Sequence, residues 1–120
     1  MATLSAAKLK PGTTPLLTVI VDNEDIHEAT VYVTVDMKDR QLVKSTRTGN
    51  GDIIVEPIYL DADTVSTQVT VRYSQADTLF FRPGYASLEV GWVDAEGTAD
   101  KSDLTRIKIP KVLYREVMSF

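Results

Sequence analysis

The chain has 120 residues, carries a formal net charge of -4 and contains no cysteine. The length suits a single domain with its own core. Without cysteine there is no disulfide framework, thiol chemistry or cysteine-based metal site. The negative charge disfavours binding to nucleic-acid phosphates, and no apolar run approaches the roughly 20 residues that span a bilayer. We therefore expect neither a nucleic-acid nor a membrane partner.

Valine, isoleucine and threonine together supply 35 of the 120 residues. Their two heavy atoms on Cβ pack well on a pleated surface and lose little rotational freedom there. The composition therefore predicts an all-β domain.

The N-terminal stretch 1–10 (MATLSAAKLK) contains neither the apolar region of a secretory signal nor an acylation motif. We interpret it as a flexible arm and expect synthesis in a cytoplasm. The cluster Pro11-Gly12-Thr13-Thr14-Pro15 disfavours helix and opens the predicted domain, residues 11–111.

The first strands follow directly. Leu16–Val21 is a continuous apolar run of strand length. Thr30–Met37 alternates, with valines on one face, which is typical of a half-buried strand. Lys38-Asp39-Arg40 then predicts a tight turn into a polar strand over residues 41–46.

The middle of the chain carries sheet-edge signals. Asn50-Gly51 predicts a hairpin between strands 41–46 and 52–60, because a type I′ turn needs positive φ at both central positions. Pro57 cannot donate to a ladder, so its strand is expected at an edge, and the polar strand 41–46 also has the character of an edge. Such edges invite strand addition from another chain.

The C-terminal half begins with the longest alternating strand, residues 64–74. Ser74 is expected to cap one helical turn over residues 75–78. One of Phe80 and Phe81 should enter the core while the other faces away. Strands 85–94 and 98–110, joined by a hairpin at Gly97, complete the pattern. About seven strands at roughly ten-residue spacing predict an all-β, immunoglobulin-like antiparallel sandwich.

Catalytic and metal-binding residues are not identifiable. His27 is the single histidine, and no serine or further zinc ligand accompanies it at a local spacing. Trp92 lies two residues after Val90 and so on the same apolar face of its strand. We therefore expect it in the core rather than as a surface on which a carbohydrate stacks. Acidic loops bind calcium in some sandwiches, but these match no calcium loop and are interpreted as turns: Asp22, Glu24, Asp25, Asp61, Asp63, Asp94, Glu96, Asp100 and Asp103. We expect no enzyme, no cofactor and no metal.

The tail, residues 112–120, is unusually apolar for a chain end. If the strands already fill the core, this segment must dock either on its own sheet or on a neighbour. Its apolar members are the candidate partner-docking residues: Val112, Leu113, Tyr114, Val117, Met118 and Phe120. The segment 8–18 is a second candidate docking element.

Three stretches carry a family likeness: residues 10–15 (KPGTTP), residues 29–35 (ATVYVTV) and residues 73–81 (YSQADTLFF). They are followed by a strand with Glu89, Gly91 and Trp92, a hairpin at Gly97, and Val112-Leu113. In these features the chain resembles a group of short proteins encoded by phages and prophages of gut Gram-positive bacteria. The resemblance covers most of residues 10–118 and is weaker over residues 37–52.

The resemblance implies a virion structural or accessory protein with an immunoglobulin-like sandwich. Such a protein binds other virion proteins, in several copies, as a capsid decoration or head-associated part or as a tail or baseplate component. The expected location is the virion, after synthesis in the host cytoplasm, and no catalytic residues are implied. The alternative is an immunoglobulin-like module that recognises a host-surface glycan or protein through loops at one end of the sandwich.

Overall fold

The structure is a computed structural model that describes residues 2–4, 8–48, 51–59, 61 and 63–120. The described residues include a short 3-10 turn at Thr46–Thr48. Their strands and α-helix, in chain order, are β1 (Ala2–Leu4), β2 (Leu16–Val21), β3 (Thr30–Met37), β4 (Arg40–Ser45), β5 (Ile53–Tyr59), β6 (Val65–Arg72), α1 (Gln75–Leu79), β7 (Gly84–Val93), β8 (Ala99–Lys101) and β9 (Thr105–Ile109).

The strands form two antiparallel sheets. The first has the order β1-β2-β6-β5, and the second has the order β4-β3-β7-β8, with β9 also paired to β7. This is the arrangement of an immunoglobulin sandwich. Strands β1, β2, β6 and β5 take the places of its strands A, B, E and D, and β4, β3, β7 and β8 take the places of C′, C, F and G. The predicted all-β, immunoglobulin-like sandwich is confirmed.

The core comes from the alternating strands. Val33 in β3 lies opposite Val90 in β7, and Val35 lies opposite Leu88. All four side chains are fully buried. Full burial of an aliphatic side chain contributes about 1.5–3 kcal/mol. The alternation of apolar and polar residues in the sequence therefore identifies the side chains that are buried between the two sheets.

The connection from β6 to β7 contains α1. Ser74 caps this helix through a reciprocal capping box with Asp77, as the sequence predicted. Phe81 is fully buried, whereas Phe80 is 39% exposed and meets its neighbour edge to face, with ring centroids 5.5 Å apart. The prediction that these two rings diverge is confirmed.

The final strand is interrupted, where the sequence indicated one continuous strand over residues 98–110. Gly91 pairs with Lys101, and Leu88 pairs with Thr105. Two residues of β7 (89–90) therefore lie opposite three residues (102–104) that connect β8 with β9. This is a β-bulge. Ser102 bridges it, because its Oγ accepts from the Val90 N–H at 3.0 Å.

Of the N-terminal stretch, expected as a flexible arm over residues 1–10, the structure describes residues 2–4 and 8–10, and both parts contact the sandwich; residues 1 and 5–7 lie outside the described ranges. Ala2–Leu4 pairs with β2, and the Leu9 N–H donates to the Lys108 carbonyl at 2.9 Å. The Leu9 side chain is fully buried in the core. Because no alternating pattern surrounds Leu9, its burial is not visible in the sequence.

The hairpin predicted at Asn50-Gly51 is wrong. Residues 49 and 50 lie outside the described ranges, but β4 and β5 on either side belong to different sheets. Strand β4 pairs with β3 through the tight turn at residues 38–39, and β5 pairs with β6. The chain therefore crosses between sheets here. Both β4 and β5 are sheet edges, as predicted.

Candidate partner-docking site

The C-terminal tail leaves the sandwich where β9 ends at Ile109. Pro110 follows, and residues 110–120 form neither helix nor strand. Val112 is half-buried. The other candidate docking residues are all more than half exposed: Leu113, Tyr114, Val117, Met118 and Phe120. The tail thus contacts its own domain while all of its apolar side chains except Val112 remain more than half exposed.

Two polar side chains hold this tail. Gln75 Nε2 donates to the Met118 carbonyl at 3.0 Å, and the Met118 N–H donates to Gln75 Oε1 at 2.6 Å. Arg115 Nη2 donates to the Phe81 carbonyl at 3.2 Å. Gln75 therefore pairs with the main chain of Met118 as a neighbouring strand would. The contact fixes the backbone at Met118, while the Met118 side chain stays 54% exposed.

Helix α1 connects the tail with the rest of this end of the sandwich. Thr78 Oγ1 accepts from the N–H groups of Gly12 and Thr13, at 2.9 and 3.2 Å, and donates to the Thr13 carbonyl. Gly12 has φ of 79°, and an added Cβ would lie 3.6 Å from Leu79. One helical turn thus positions both the tail and the segment that leads into β2.

A charged cluster anchors the other side of α1. Lys44 Nζ in β4 lies 2.8 Å from Asp52 Oδ2 and 2.8 Å from Asp77 Oδ2. The three side chains are mostly buried, and Lys44 also lies over the Tyr73 ring. Arg72 approaches Asp52 at 3.4 Å. The cluster joins β4, the start of β5 and α1, and so links the two sheets.

The environment of this cluster favours its charged forms. Hydrogen bonding from Lys44 keeps the pKa of Asp52 below its usual value, despite partial burial. Burial opposes the charge of Asp77, but hydrogen bonds from Lys44 and Ser74 outweigh it and lower the pKa of this carboxyl. Burial likewise opposes the Lys44 charge, and the two carboxylates outweigh it and raise the pKa of Lys44. The cluster is an ion-pair network in which the charged form of each group is favoured.

A groove crosses the outer face of the second sheet. In its central row Tyr32, Gly91 and Lys101 are neighbours on β3, β7 and β8. It has a volume of about 560 Å³, and its lining is mainly apolar, including Val43 and Val93. Because Gly91 has no side chain, it forms a depression in this face.

The remaining sequence candidates occupy other places. Trp92 is partly buried against the core. In the segment 8–18, Leu9 and Leu17 are buried, whereas Leu16 is 62% exposed. His27 is hydrogen-bonded to Asp25, which raises the pKa of the imidazole and lowers the pKa of the carboxyl.

The acidic loops supply turn contacts. Asp61 Oδ1 accepts from the N–H groups of Asp63 and Thr64, both at 2.8 Å. Asp94 Oδ1 accepts from Glu96 and Thr98, both at 2.9 Å. Within the described ranges, no group of three or more His, Cys, Asp or Glu is arranged to hold a metal ion. These carboxylates form the turns in which the sequence places them.

Gln75 and Lys44 are the site residues that sequence reasoning missed. Gln75 lies in the predicted helical turn, but its partner Met118 is 43 residues away. The sequence does indicate that Lys44 needs a partner. Lys44 lies two residues after Leu42 in β4 and so points to the same, inner face of the sheet, and a lysine in that position requires a counter-charge. The identities of Asp52 and Asp77 as partners follow only from the three-dimensional fold.

No model of a known protein family matches the chain, and no curated protein matches it significantly. Among the helices that the structure describes, none has the length and apolar character needed to cross a membrane. The conclusions on function therefore depend on the geometry of the site and on the resemblance in the sequence.

Proposed function

We propose that this protein is a phage virion structural protein that acts by protein–protein contacts, without catalysis. The observation that carries the proposal is the apolar tail, residues 112–120, whose backbone is held by Gln75 while its large side chains face outward. A soluble monomer rarely exposes such a contiguous apolar set without a binding role. The resemblance to phage and prophage proteins supplies the biological setting.

The manner in which the tail is held favours binding. A segment already fixed in one conformation loses less conformational freedom when its partner arrives, so more of the contact energy appears as affinity. Several copies on a symmetric particle strengthen individually weak contacts through avidity. A rigid sandwich with one presented segment is suited to such a part, whether in the capsid, tail or baseplate.

Truncation after Lys111 tests the proposal. None of the core residues lies beyond Ile109, so the shortened protein should remain folded and soluble. Incorporation into virions should fall to background, as measured by quantitative mass spectrometry of purified particles. The matched control is the Tyr59→Ser variant, which alters an exposed aromatic residue on β5 far along the chain from the tail.

Two results would contradict the proposal. One is normal incorporation of the folded, truncated protein. The other is absence of the full-length protein from purified particles of the phage that encodes it. The alternative function, recognition of a host-surface glycan or protein, instead predicts that the truncated domain still binds intact host cells.

A further inference from the structure

The first turn of α1 makes two contacts that point in different directions. The Gln75 side chain is hydrogen-bonded to the main chain of Met118 in the tail. Two residues later, the Asp77 carboxylate lies 2.8 Å from Lys44 Nζ in the charged cluster. Residues two apart on a helix do not face each other, so one turn of backbone joins the cluster to the tail.

The Asp77 carboxylate also closes the start of this helix. The Ser74 N–H donates to Asp77 Oδ2 at 2.8 Å, and the Asp77 N–H donates to Ser74 Oγ at 3.1 Å. A helix of five residues is too short to be stable through its own backbone hydrogen bonds. The contact with Lys44 therefore fixes the carboxylate that caps the turn from which Gln75 extends.

The other end of α1 is held by contacts in which Lys44 takes no part. Thr78 is fully buried, and its Oγ1 accepts from the N–H groups of Gly12 and Thr13. Phe81, just beyond the helix, is fully buried as well. Loss of the ion pair should thus loosen the first turn of α1 and leave its last residues in place.

We infer that the first turn of α1 couples the charged cluster to the tail, so that Lys44, acting through Asp77 and Gln75, keeps the tail in its observed conformation. Lys44 and Asp77 are thus positioning residues for the docking segment. The inference rests on the proposed function and adds a control over that same site. A tail released from Gln75 must be ordered again when a partner binds, which lowers its affinity.

The groups around Asp77 provide a matched control. Lys44 is the cation that contacts Asp77, and Lys44 also contacts Asp52, which itself lies 3.4 Å from Arg72. The Tyr73 ring lies beneath Lys44. Asp52 precedes β5 and is not part of α1. Asp52→Asn therefore removes a charge from the same cluster but leaves the pair of Lys44 with Asp77 intact.

Amide hydrogen exchange of the isolated full-length protein at neutral pH, followed by NMR, tests the coupling. In Asp77→Asn, whose amide oxygen can still cap the helix, the Met118 amide should exchange about tenfold faster, as expected for local opening. Lys44→Met should have the same effect, whereas Asp52→Asn should leave Met118 unchanged. The Gly12 and Thr13 amides should stay protected in all three variants, since Thr78 holds them.

Three results would overturn the coupling. The first is a Met118 amide that exchanges as slowly in Asp77→Asn and Lys44→Met as in the parent protein. The second is an equal acceleration in Asp52→Asn. The third is an equal acceleration at Gly12 and Thr13, because α1 would then be lost as a whole and the effect would not travel through its first turn.

A reciprocal measurement uses the truncated protein. Coupling between two sites acts equally in both directions, so removal of the tail must weaken the hold on the Asp77 charge. Truncation after Lys111 should therefore raise the pKa of Asp77, as measured by NMR titration of its carboxyl carbon. Asp61, in the turn at the other end of β6, is the control, and its pKa should not change. An unchanged pKa of Asp77 would contradict the coupling.

These measurements are independent of virion incorporation. If Asp77→Asn and Lys44→Met release the tail but the truncated protein still enters virions, the coupling stands and the proposed function fails. If the tail stays held in both variants while truncation abolishes incorporation, the coupling fails and the proposed function stands.

Discussion

Leu88 in β7 is fully buried, whereas Leu113 in the tail is 97% exposed. The two regions use similar apolar side chains but are held by different forces. The sandwich is held by packing between alternating valines, leucines and isoleucines of two sheets. The tail is held by hydrogen bonds from Gln75 and Arg115 to main-chain atoms. Apolar burial thus stabilises the domain, while hydrogen bonds hold a tail whose large apolar side chains stay mostly exposed.

The largest expected contrast is between these two leucines. Leu88→Ala should lower the free energy of unfolding by about 3 kcal/mol, because it leaves a cavity between the sheets. Leu113→Ala should change that free energy by less than about 0.5 kcal/mol, since the side chain is exposed. Urea denaturation of both variants measures the difference. Equal destabilisation would show that the tail is part of the core.

The next effect concerns the cluster that supports α1. Lys44→Met should cost about 2–3 kcal/mol, because it takes the shared cation from the partly buried Asp52 and Asp77 carboxylates, of which Asp52 keeps its contact with Arg72. The exposed Lys38 on the β3–β4 turn provides the control, and Lys38→Met should be nearly neutral. Thermal and urea unfolding compare the two. A neutral Lys44→Met would mean that solvent screens the cluster.

Acid should weaken the same cluster. The pKa values of Asp52 and Asp77 are lowered in the folded protein, so the unfolded state binds more protons as pH falls. Their stabilising contribution is present above about pH 4 and is lost as pH falls through the folded pKa values. Urea midpoints from pH 6 to pH 2.5 should therefore fall more steeply for the parent protein than for Lys44→Met. Parallel curves would contradict this coupling.

The last variant, Gln75→Ala, should change stability least but should strongly increase the mobility of the tail. Gln75→Ala removes both hydrogen bonds to Met118 and should cost about 1 kcal/mol or less. Amide exchange at Met118 should become much faster, and ¹⁵N relaxation should show a mobile tail. Gln41→Ala, which removes a side-chain contact to Asp36, is the control and should leave tail relaxation unchanged. A tail that stays rigid in Gln75→Ala would assign its order to other contacts.

Local patterns in the sequence predict much of the sandwich. Alternation in β3 and β6 identifies the buried face, Ser74 identifies the start of α1, and Pro57 identifies an edge strand. These features depend on residues that are close together in the chain, and so they can be predicted from the sequence. They also suffice for the class of fold, because alternating strands of this length must enclose a shared core.

Features that depend on distant contacts are not predictable in this way. The Leu9 backbone is held by the distant Lys108 carbonyl, and the Met118 backbone in the tail is held by Gln75. The Asn50-Gly51 signal is a strong local preference for a hairpin, but tertiary structure overrides it because β4 and β5 pair in different sheets. For the site, the apolar tail is recognisable from sequence, whereas its clamp by Gln75 requires the fold.

Pro57 in the edge strand β5 has a consequence for copies packed at high local density. A ladder that adds a further strand at this edge needs an uninterrupted row of backbone donors, and proline supplies no N–H. This edge is therefore a poor template for cross-β growth. Molecules crowded together at high concentration are therefore protected from amyloid-like fusion at this edge.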